Sequence, residues 1–110
     1  MNGIYTVKQV NSYIKNMFTQ DFMLNRIYVK GEISNCKYHP SGHIYFSLKD
    51  ESGTIACVMF AGSRAGLSFT LKNGQRVIAF GSVSVYERDG KYQLYAREIK
   101  LDGAGELYEK

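Results

Sequence analysis

The chain has 110 residues, enough for one domain with a modest core, and its hydrophobic content of 45% predicts a folded domain and argues against disorder. Its formal net charge of +4 is a mild basic bias, compatible with a polyanionic partner but too small to prove one. Two cysteines do not make a disulfide framework, and no apolar run approaches the ~20 residues of a membrane span, so we expect a reducing, cytoplasmic location and no membrane partner.

The first predicted element is a helix from about Val7 to Gln20. Thr6 and Gln9 have the spacing of a capping box, in which each side chain bonds the backbone amide of the other residue. Apolar residues then recur at helical spacing, namely Val7, Val10, Ile14, Met17 and Phe18. This apolar face needs a cover. We expect it to pack on the strands that follow, where Ile78 and Phe80 face outward.

Three consecutive strands are predicted between Ile27 and Phe60, because apolar and polar residues alternate along this stretch. Turns at residues 40–42 and 52–53 separate them. The face assigned to the core consists of Ile27, Val29, Gly31, Ile33, Ile44, Phe46, Leu48, Ile55, Cys57 and Met59. The opposite face mixes aromatic rings with lysines, which is the first indication of a function.

The sequence of the second half of the chain predicts a connector followed by a two-stranded hairpin. Residues 61–69 fit either a short helix or a loop, and the sequence does not decide between them. After a turn at 73–74, a long strand is predicted from Gln75 to Tyr86. Asp89-Gly90 is a strong hairpin signal, and the last strand is predicted from Tyr92 to Leu101.

These elements predict a mainly β fold, an OB-fold, which is a five-stranded Greek-key barrel, preceded by an α-helix. Gly81, and a slip in the alternation near Glu98, indicate the bend or bulge that a barrel corner needs. The predicted organisation is a helix packed on the barrel in residues 1–22, the OB-fold in 23–102, and the start of a linker in 103–110. An SH3-like barrel or an open meander is the alternative.

The ligand face of an OB-fold lies on its second and third strands, flanked by the loops that join strands one to two and four to five. Aromatic, histidine and basic side chains are expected to converge there: Tyr28, Lys30, Tyr38, His39, His43, Tyr45, Lys49, Tyr86, Arg88, Lys91, Tyr95 and Arg97. Arg64, in the connector, is a further candidate. Aromatic rings stack on bases and basic groups follow phosphates, so this set predicts binding of single-stranded nucleic acid.

Catalytic alternatives have little support in the sequence. Glu32 and the pair Asp50-Glu51 are not placed as a metal-binding set, and the pair more simply solvates a turn. Cys36, His39 and His43 are close enough in sequence to suggest a metal, but a fourth ligand is missing. We therefore predict no catalytic residue, metal or cofactor in this segment.

The chain also carries three distinctive segments: VKGEISN at 29–35, SGHIYFSLKD at 41–50 and CVMF at 57–60. They resemble the N-terminal domain of the large subunit of bacterial exodeoxyribonuclease VII. Shorter matches follow the same family, namely YTV at 5–7, GKYQL at 90–94 and GAGELY at 103–108. Together the matches cover nearly the whole chain.

This resemblance implies an OB-fold that binds single-stranded DNA and is joined to a separate catalytic region beyond residue 110. The family's enzyme cuts single-stranded DNA from either end into oligonucleotides, together with many copies of a small helical subunit, in the bacterial cytoplasm. Binding positions carry over only where the motif matches, at His43, Tyr45, Ser47 and Lys49. Two other functions stay open: a protein-interaction domain that docks parts of the nuclease assembly, and an RNA-binding OB module.

Overall fold

The computed structural model describes residues 3–103. It contains one α-helix, five strands and one 3-10 helix. In chain order these are α1 (Val7–Gln20), β1 (Ile27–Tyr38), β2 (Ile44–Lys49), β3 (Thr54–Met59), the 3-10 helix (Ala61–Gly66), β4 (Arg76–Tyr86) and β5 (Lys91–Leu101). The predicted helix and strands are therefore confirmed, and the undecided connector forms a short helix. The predicted linker lies outside the described residues, apart from Gly103.

The five strands close into a barrel in the order β1-β2-β3-β5-β4, with β4 pairing back onto β1. Every pairing is antiparallel except that of β3 with β5, where Cys57 lies opposite Leu94 and Val58 opposite Tyr95. This order and closure are those of the predicted Greek-key barrel. An open meander is excluded, because such a sheet would leave two free edges.

Strand β1 pairs with two other strands. Its first half, Ile27 to Glu32, pairs with β4, and its second half, Glu32 to Tyr38, pairs with β2. Between Ser34 and Lys37 the register shifts, and Asn35 has a positive φ of 50°. Such an irregularity lets one strand bend sharply enough to join two sides of a barrel. The two halves of β1 consequently point their outward side chains at different parts of the surface.

The barrel interior holds the apolar residues that the alternation selects. Its buried cluster consists of Ile33, Ile44, Phe46, Leu48, Cys57, Met59, Leu71, Val77, Ala79, Val83, Leu94, Ala96 and Ile99. Within residues 3–103 no polar or charged residue is buried. Full burial of a Leu, Ile, Val or Met side chain contributes roughly 1.5–3 kcal/mol, so this cluster is the main stabilising element.

The two irregularities expected at Gly81 and Glu98 belong to one bulge. Phe80 pairs with Glu98 and Gly81 with Ala96, which leaves Arg97 as the extra residue of β5. A Cβ atom at Gly81 would overlap the backbone carbonyl of Tyr95, so only glycine allows the strands to approach this closely. The bulge places Arg97 on the outer surface, where its side chain is exposed.

Helix α1 begins with the predicted capping box. The Gln9 amide donates to the Thr6 hydroxyl at 3.1 Å, and the Thr6 amide donates to the Gln9 side chain at 2.8 Å. The helix contacts the β4–β5 hairpin through polar groups. Asn11 donates to the backbone carbonyl of Glu87 at 3.0 Å, and the Ser12 hydroxyl donates to the Glu87 carboxylate at 2.6 Å.

The apolar face of α1 is placed differently from our expectation. Val7, Val10, Ile14 and Met17 are exposed, and no residue of the helix is buried. Phe18 alone among the residues of that face packs against the core, with its ring 6.3 Å from that of Tyr92. On the side that faces the hairpin, Asn11, Ser12 and Lys15 donate hydrogen bonds to Glu87. Neither of the described helices is long and apolar enough to span a membrane.

Candidate nucleic-acid interface

A row of aromatic side chains crosses the outside of the barrel over β2, the end of β3, and β5. We call it the aromatic row; its members are His39, Tyr45, His43, Phe60 and Tyr95. Successive ring centroids are 6.0 Å apart for His39 and Tyr45, 6.4 Å for Tyr45 and His43, 5.1 Å for His43 and Phe60, and 5.7 Å for Phe60 and Tyr95. The row is therefore one continuous set of contacts.

Strand pairing explains why these rings meet. Tyr45 lies opposite Val58 on β3, and Val58 lies opposite Tyr95 on β5, so the outward positions of three strands form one line. Tyr45 remains 42% exposed and Phe60 45% exposed, which leaves ring surface for a ligand. Phe60 was not among the predicted site residues. The signal was present, because the alternation of β3 puts Phe60 on the outward face with Ala56.

The two histidines of the row are oriented by the backbone. The Ala61 amide donates to Nδ1 of His43 at 2.9 Å, and the Ser41 amide donates to Nδ1 of His39 at 3.1 Å. An Nδ1 atom that accepts a hydrogen bond leaves the ring hydrogen on Nε2, and Nδ1 of His39 also lies 2.8 Å from the Ser41 hydroxyl. The Nε2–H group of such a ring can donate a hydrogen bond to an oxygen of a base or of a phosphate.

Tyr38 and Arg64 lie beside the β1–β2 loop and hold each other in place. The Arg64 guanidinium is 5.4 Å from the centre of the Tyr38 ring, and its Nη1 donates to the Gly42 carbonyl at 3.0 Å. The Tyr38 hydroxyl accepts from the Leu71 amide at 2.7 Å. Arg64 therefore brings a fixed positive charge to the loop that carries His39 and His43.

A second group of aromatic and basic residues lies on β1, β4 and β5. We call Arg26, Tyr28, Phe80 and Arg97 the second cluster. Tyr28 pairs with Phe80 in register, and their ring centroids are 4.7 Å apart. The guanidinium carbons of Arg26 and Arg97 are 5.4 Å and 5.1 Å from the Phe80 ring centre. Arg97 also lines a shallow hollow together with Phe60 and Tyr95, which connects this cluster to the aromatic row.

The remaining predicted residues lie elsewhere. Tyr86, Arg88 and Lys91 are at the β4–β5 hairpin, where Arg88 lines a groove against α1. Lys91 is four residues before Tyr95, which places it about 13 Å from that ring along the strand. Because β4 runs antiparallel to β1, the hairpin that follows β4 and the loop that follows β1 lie at opposite ends of these two strands.

Lys30 and Lys49 line a separate cleft. The other charged residues that line it are Glu32, Asp50, Glu51, Arg76 and Asp102. Ser47 is half-buried on β2, between its register partners Ser34 and Ala56. The structure does not bring all the candidates together, because Lys30 and Lys49 line this cleft while Tyr86, Arg88 and Lys91 lie at the hairpin. The aromatic row keeps His39, His43, Tyr45 and Tyr95, with Arg64 and Tyr38 beside it.

Comparisons with known proteins agree with this architecture. A family model described as an OB-fold nucleic acid binding domain matches residues 5–100. The chain belongs to the family of OB-fold nucleic-acid-binding domains. The asparaginyl-tRNA synthetase from Pyrococcus horikoshii has a similar fold, with a TM-score of 0.57 and 16% identity over 72% of this chain and 20% of that one.

Curated relatives confirm the resemblance stated from the sequence. The exodeoxyribonuclease 7 large subunit of Lachnoclostridium phytofermentans is 71% identical over 100% of this chain and 27% of its own. The same subunit from Clostridium botulinum (strain Okra) is 57% identical over 94% of this chain and 26% of its own. The subunit from Ruminiclostridium cellulolyticum is 45% identical over 98% of this chain and 27% of its own. The chain thus spans about a quarter of the length of these relatives.

The cysteines of this OB domain do not join its polar surface. Cys36 directs its sulfur at the Leu71 carbonyl, 3.6 Å away, and burial raises the pKa of its thiol. Burial raises the pKa of the Cys57 thiol to about 12. Both thiols stay protonated at neutral pH, whereas a nucleophile or a metal ligand is a thiolate. Within residues 3–103 no group of three or more metal-binding side chains is found.

Proposed function

We propose that this OB-fold domain binds single-stranded DNA as a module of an exodeoxyribonuclease VII large subunit. The observation that carries the proposal is the aromatic row, a line of partly exposed rings with Arg64 beside it. Stacking on such rings needs the flat face of a base, which is accessible only when the base is unpaired. The nuclease part of the proposal is supported by the curated relatives, which are exodeoxyribonuclease 7 large subunits.

In this proposal the domain holds the substrate and another part of the large subunit cuts it. The whole enzyme, working with its small subunit in the cytoplasm, would degrade single-stranded DNA from either end into oligonucleotides. Sequence-tolerant stacking suits that task, because an enzyme that degrades a whole strand has to accept every base. The two Nε2–H donors of His39 and His43 add hydrogen bonds that any phosphate or base oxygen can accept.

The test is a titration of labelled single-stranded DNA, with RNA of the same sequence and duplex DNA as competitors. We expect Phe60→Ala to weaken single-stranded DNA binding by roughly 1–3 kcal/mol, the usual contribution of one stacked base. Tyr13→Ala is the matched control, because Tyr13 is an exposed aromatic residue on α1, outside the row. A Phe60→Ala variant that is folded and binds like the parent would remove the aromatic row as the site.

Salt dependence separates the basic candidates. Arg64→Gln should reduce the slope of log K against log salt by roughly 0.7, the value for one lost phosphate contact on a single strand. Lys49→Gln should leave the slope unchanged, because Lys49 shares its cleft with Asp50 and Glu51. Equal slopes in Arg64→Gln and the parent would show that Arg64 does not contact a phosphate of the bound strand.

A protein-interaction function is the second candidate, favoured by the exposed apolar face of α1. It predicts a chain that binds none of the three nucleic acids but binds another part of the nuclease assembly. An RNA-binding module is distinguished by the same titration, because RNA would then compete better than DNA of the same sequence.

A further inference from the structure

The second cluster has the composition of a stacking site, but its two rings, Tyr28 and Phe80, lie on β1 and β4, outside the strands that carry the aromatic row. Tyr28 covers one side of Phe80 and is still 70% exposed, so most of its ring faces solvent. An aromatic ring that served only to shield Phe80 would bury more of its own surface. Tyr28 therefore offers an open ring face on a barrel strand, at the same time as it braces Phe80.

The charges of this cluster are also available. The guanidinium groups of Arg26 and Arg97 lie within 5.4 Å and 5.1 Å of the Phe80 ring, and Arg97 donates to the Asn25 carbonyl at 3.2 Å. Glu98 is the register partner of Phe80, yet within residues 3–103 neither arginine forms an ion pair with a carboxylate. Two cations held over an aromatic ring and not paired with a carboxylate fit a phosphate-bearing ligand.

Arg97 joins this cluster to the aromatic row. As the extra residue of the β5 bulge it lies beside Phe80, and it lines one hollow with Phe60 and Tyr95. From Tyr95 on β5 the barrel continues through β4 to Tyr28 on β1, which is two strand spacings, or roughly 10 Å. A strand of the roughly 4–16 nucleotides that one OB-fold covers is long enough to reach across this distance.

We infer that Tyr28 and Phe80, flanked by Arg26 and Arg97, form a second base-stacking subsite for the same DNA strand. The strand leaves the aromatic row at Tyr95, passes Arg97 and continues onto β4 and β1. The ligand class is an unpaired nucleotide with its phosphate, recognised without sequence preference. This inference rests on the proposed function, because it extends the strand bound by the aromatic row.

Oligonucleotide length provides the test on the 110-residue chain. Fluorescence anisotropy is measured with oligothymidine of about 4 and about 16 nucleotides, the two limits of an OB-fold site. Tyr28→Leu keeps an apolar cover over Phe80 but removes the flat ring. We expect it to weaken binding of the long strand by roughly 5–150-fold, the equivalent of one stacked base, and to leave the short strand unaffected.

Two further variants make the result specific. Tyr28→Phe keeps the ring and should bind both lengths like the parent, whereas Phe60→Ala should weaken both. The inference is overturned if folded Tyr28→Leu binds the long strand like the parent, or if it weakens both lengths equally together with a lower melting temperature. If the parent binds neither length, the proposed function itself fails, which the parent titration alone reveals.

Discussion

The barrel and the N-terminal helix have equally clear apolar patterns, but the barrel buries its apolar residues and the helix leaves most of its own exposed. In the barrel, the inward positions of every strand are covered by other strands, as Ile33 and Ile44 show with no exposed surface. In α1, Val10 and Ile14 follow an equally regular period and remain exposed. A periodic pattern therefore predicts which face of an element is apolar. Whether that face is buried depends on which other elements pack against it.

The largest expected effect tests that contrast directly. Ile44→Ala should lower the free energy of unfolding by roughly 2–5 kcal/mol, because it leaves a cavity in a closed core. Met17→Ala, on the apolar face of α1, should change it by less than about 0.5 kcal/mol, as exposed substitutions do. Urea denaturation of both variants measures the two values. Similar losses would mean that the helix face is covered in solution, for example by a second copy.

A smaller effect is expected at the helix cap. Thr6→Ala removes the hydroxyl that accepts from the Gln9 amide, and such a change costs about 1 kcal/mol of helix stability. Because α1 contacts the barrel mainly through one hairpin, we expect helical ellipticity to fall at a lower temperature than the barrel unfolds. Thr19→Ala, in the last turn of α1, is the control. A single shared transition in Thr6→Ala would show that helix and barrel unfold as one unit.

The sequence was most informative where local chemistry decides the structure. The strand bounds follow from a period of two, the start of α1 from Thr6 and Gln9, and the β5 bulge from Gly81 and the slip near Glu98. Each signal lies within a few residues of the feature that it specifies. These three features could therefore be predicted from short stretches of the sequence.

The arrangement of the site was less predictable, because it depends on distant pairings. Alternation put Tyr28 and Tyr45 on the outer surface, but β1 changes its partner from β4 to β2 at Glu32, so its two halves lie on different parts of the barrel. The connector could not be assigned, since its short 3-10 helix is fixed by a close approach of Gly66 to the Arg97 backbone. Phe60 was overlooked because it joins the row through rings from distant parts of the chain, His43 and Tyr95.

The smallest effect concerns the polar attachment of α1 to the β4–β5 hairpin at Glu87. The hydrogen bond from Ser12, followed by the one from Lys15, lowers the pKa of the Glu87 carboxyl from its ordinary value of 4.5. A carboxyl whose pKa is lowered in the folded state stabilises that state above its unfolded pKa. This contribution is present at pH values above 4.5 and disappears as the pH falls through the lowered folded value.

Glu87→Gln isolates this contribution from that of the other carboxyls, which titrate alike in both proteins. We expect the parent to melt at a slightly higher temperature than Glu87→Gln at pH 7, and the gap to close on acidification below 4.5. Ser12→Ala, which removes the largest cause of the shift, should shrink the gap at pH 7. A difference that stays constant with pH would show that Glu87 does not hold the helix by its charge. The hairpin would then keep its position through the Asn11 contact to the Glu87 carbonyl, which does not titrate.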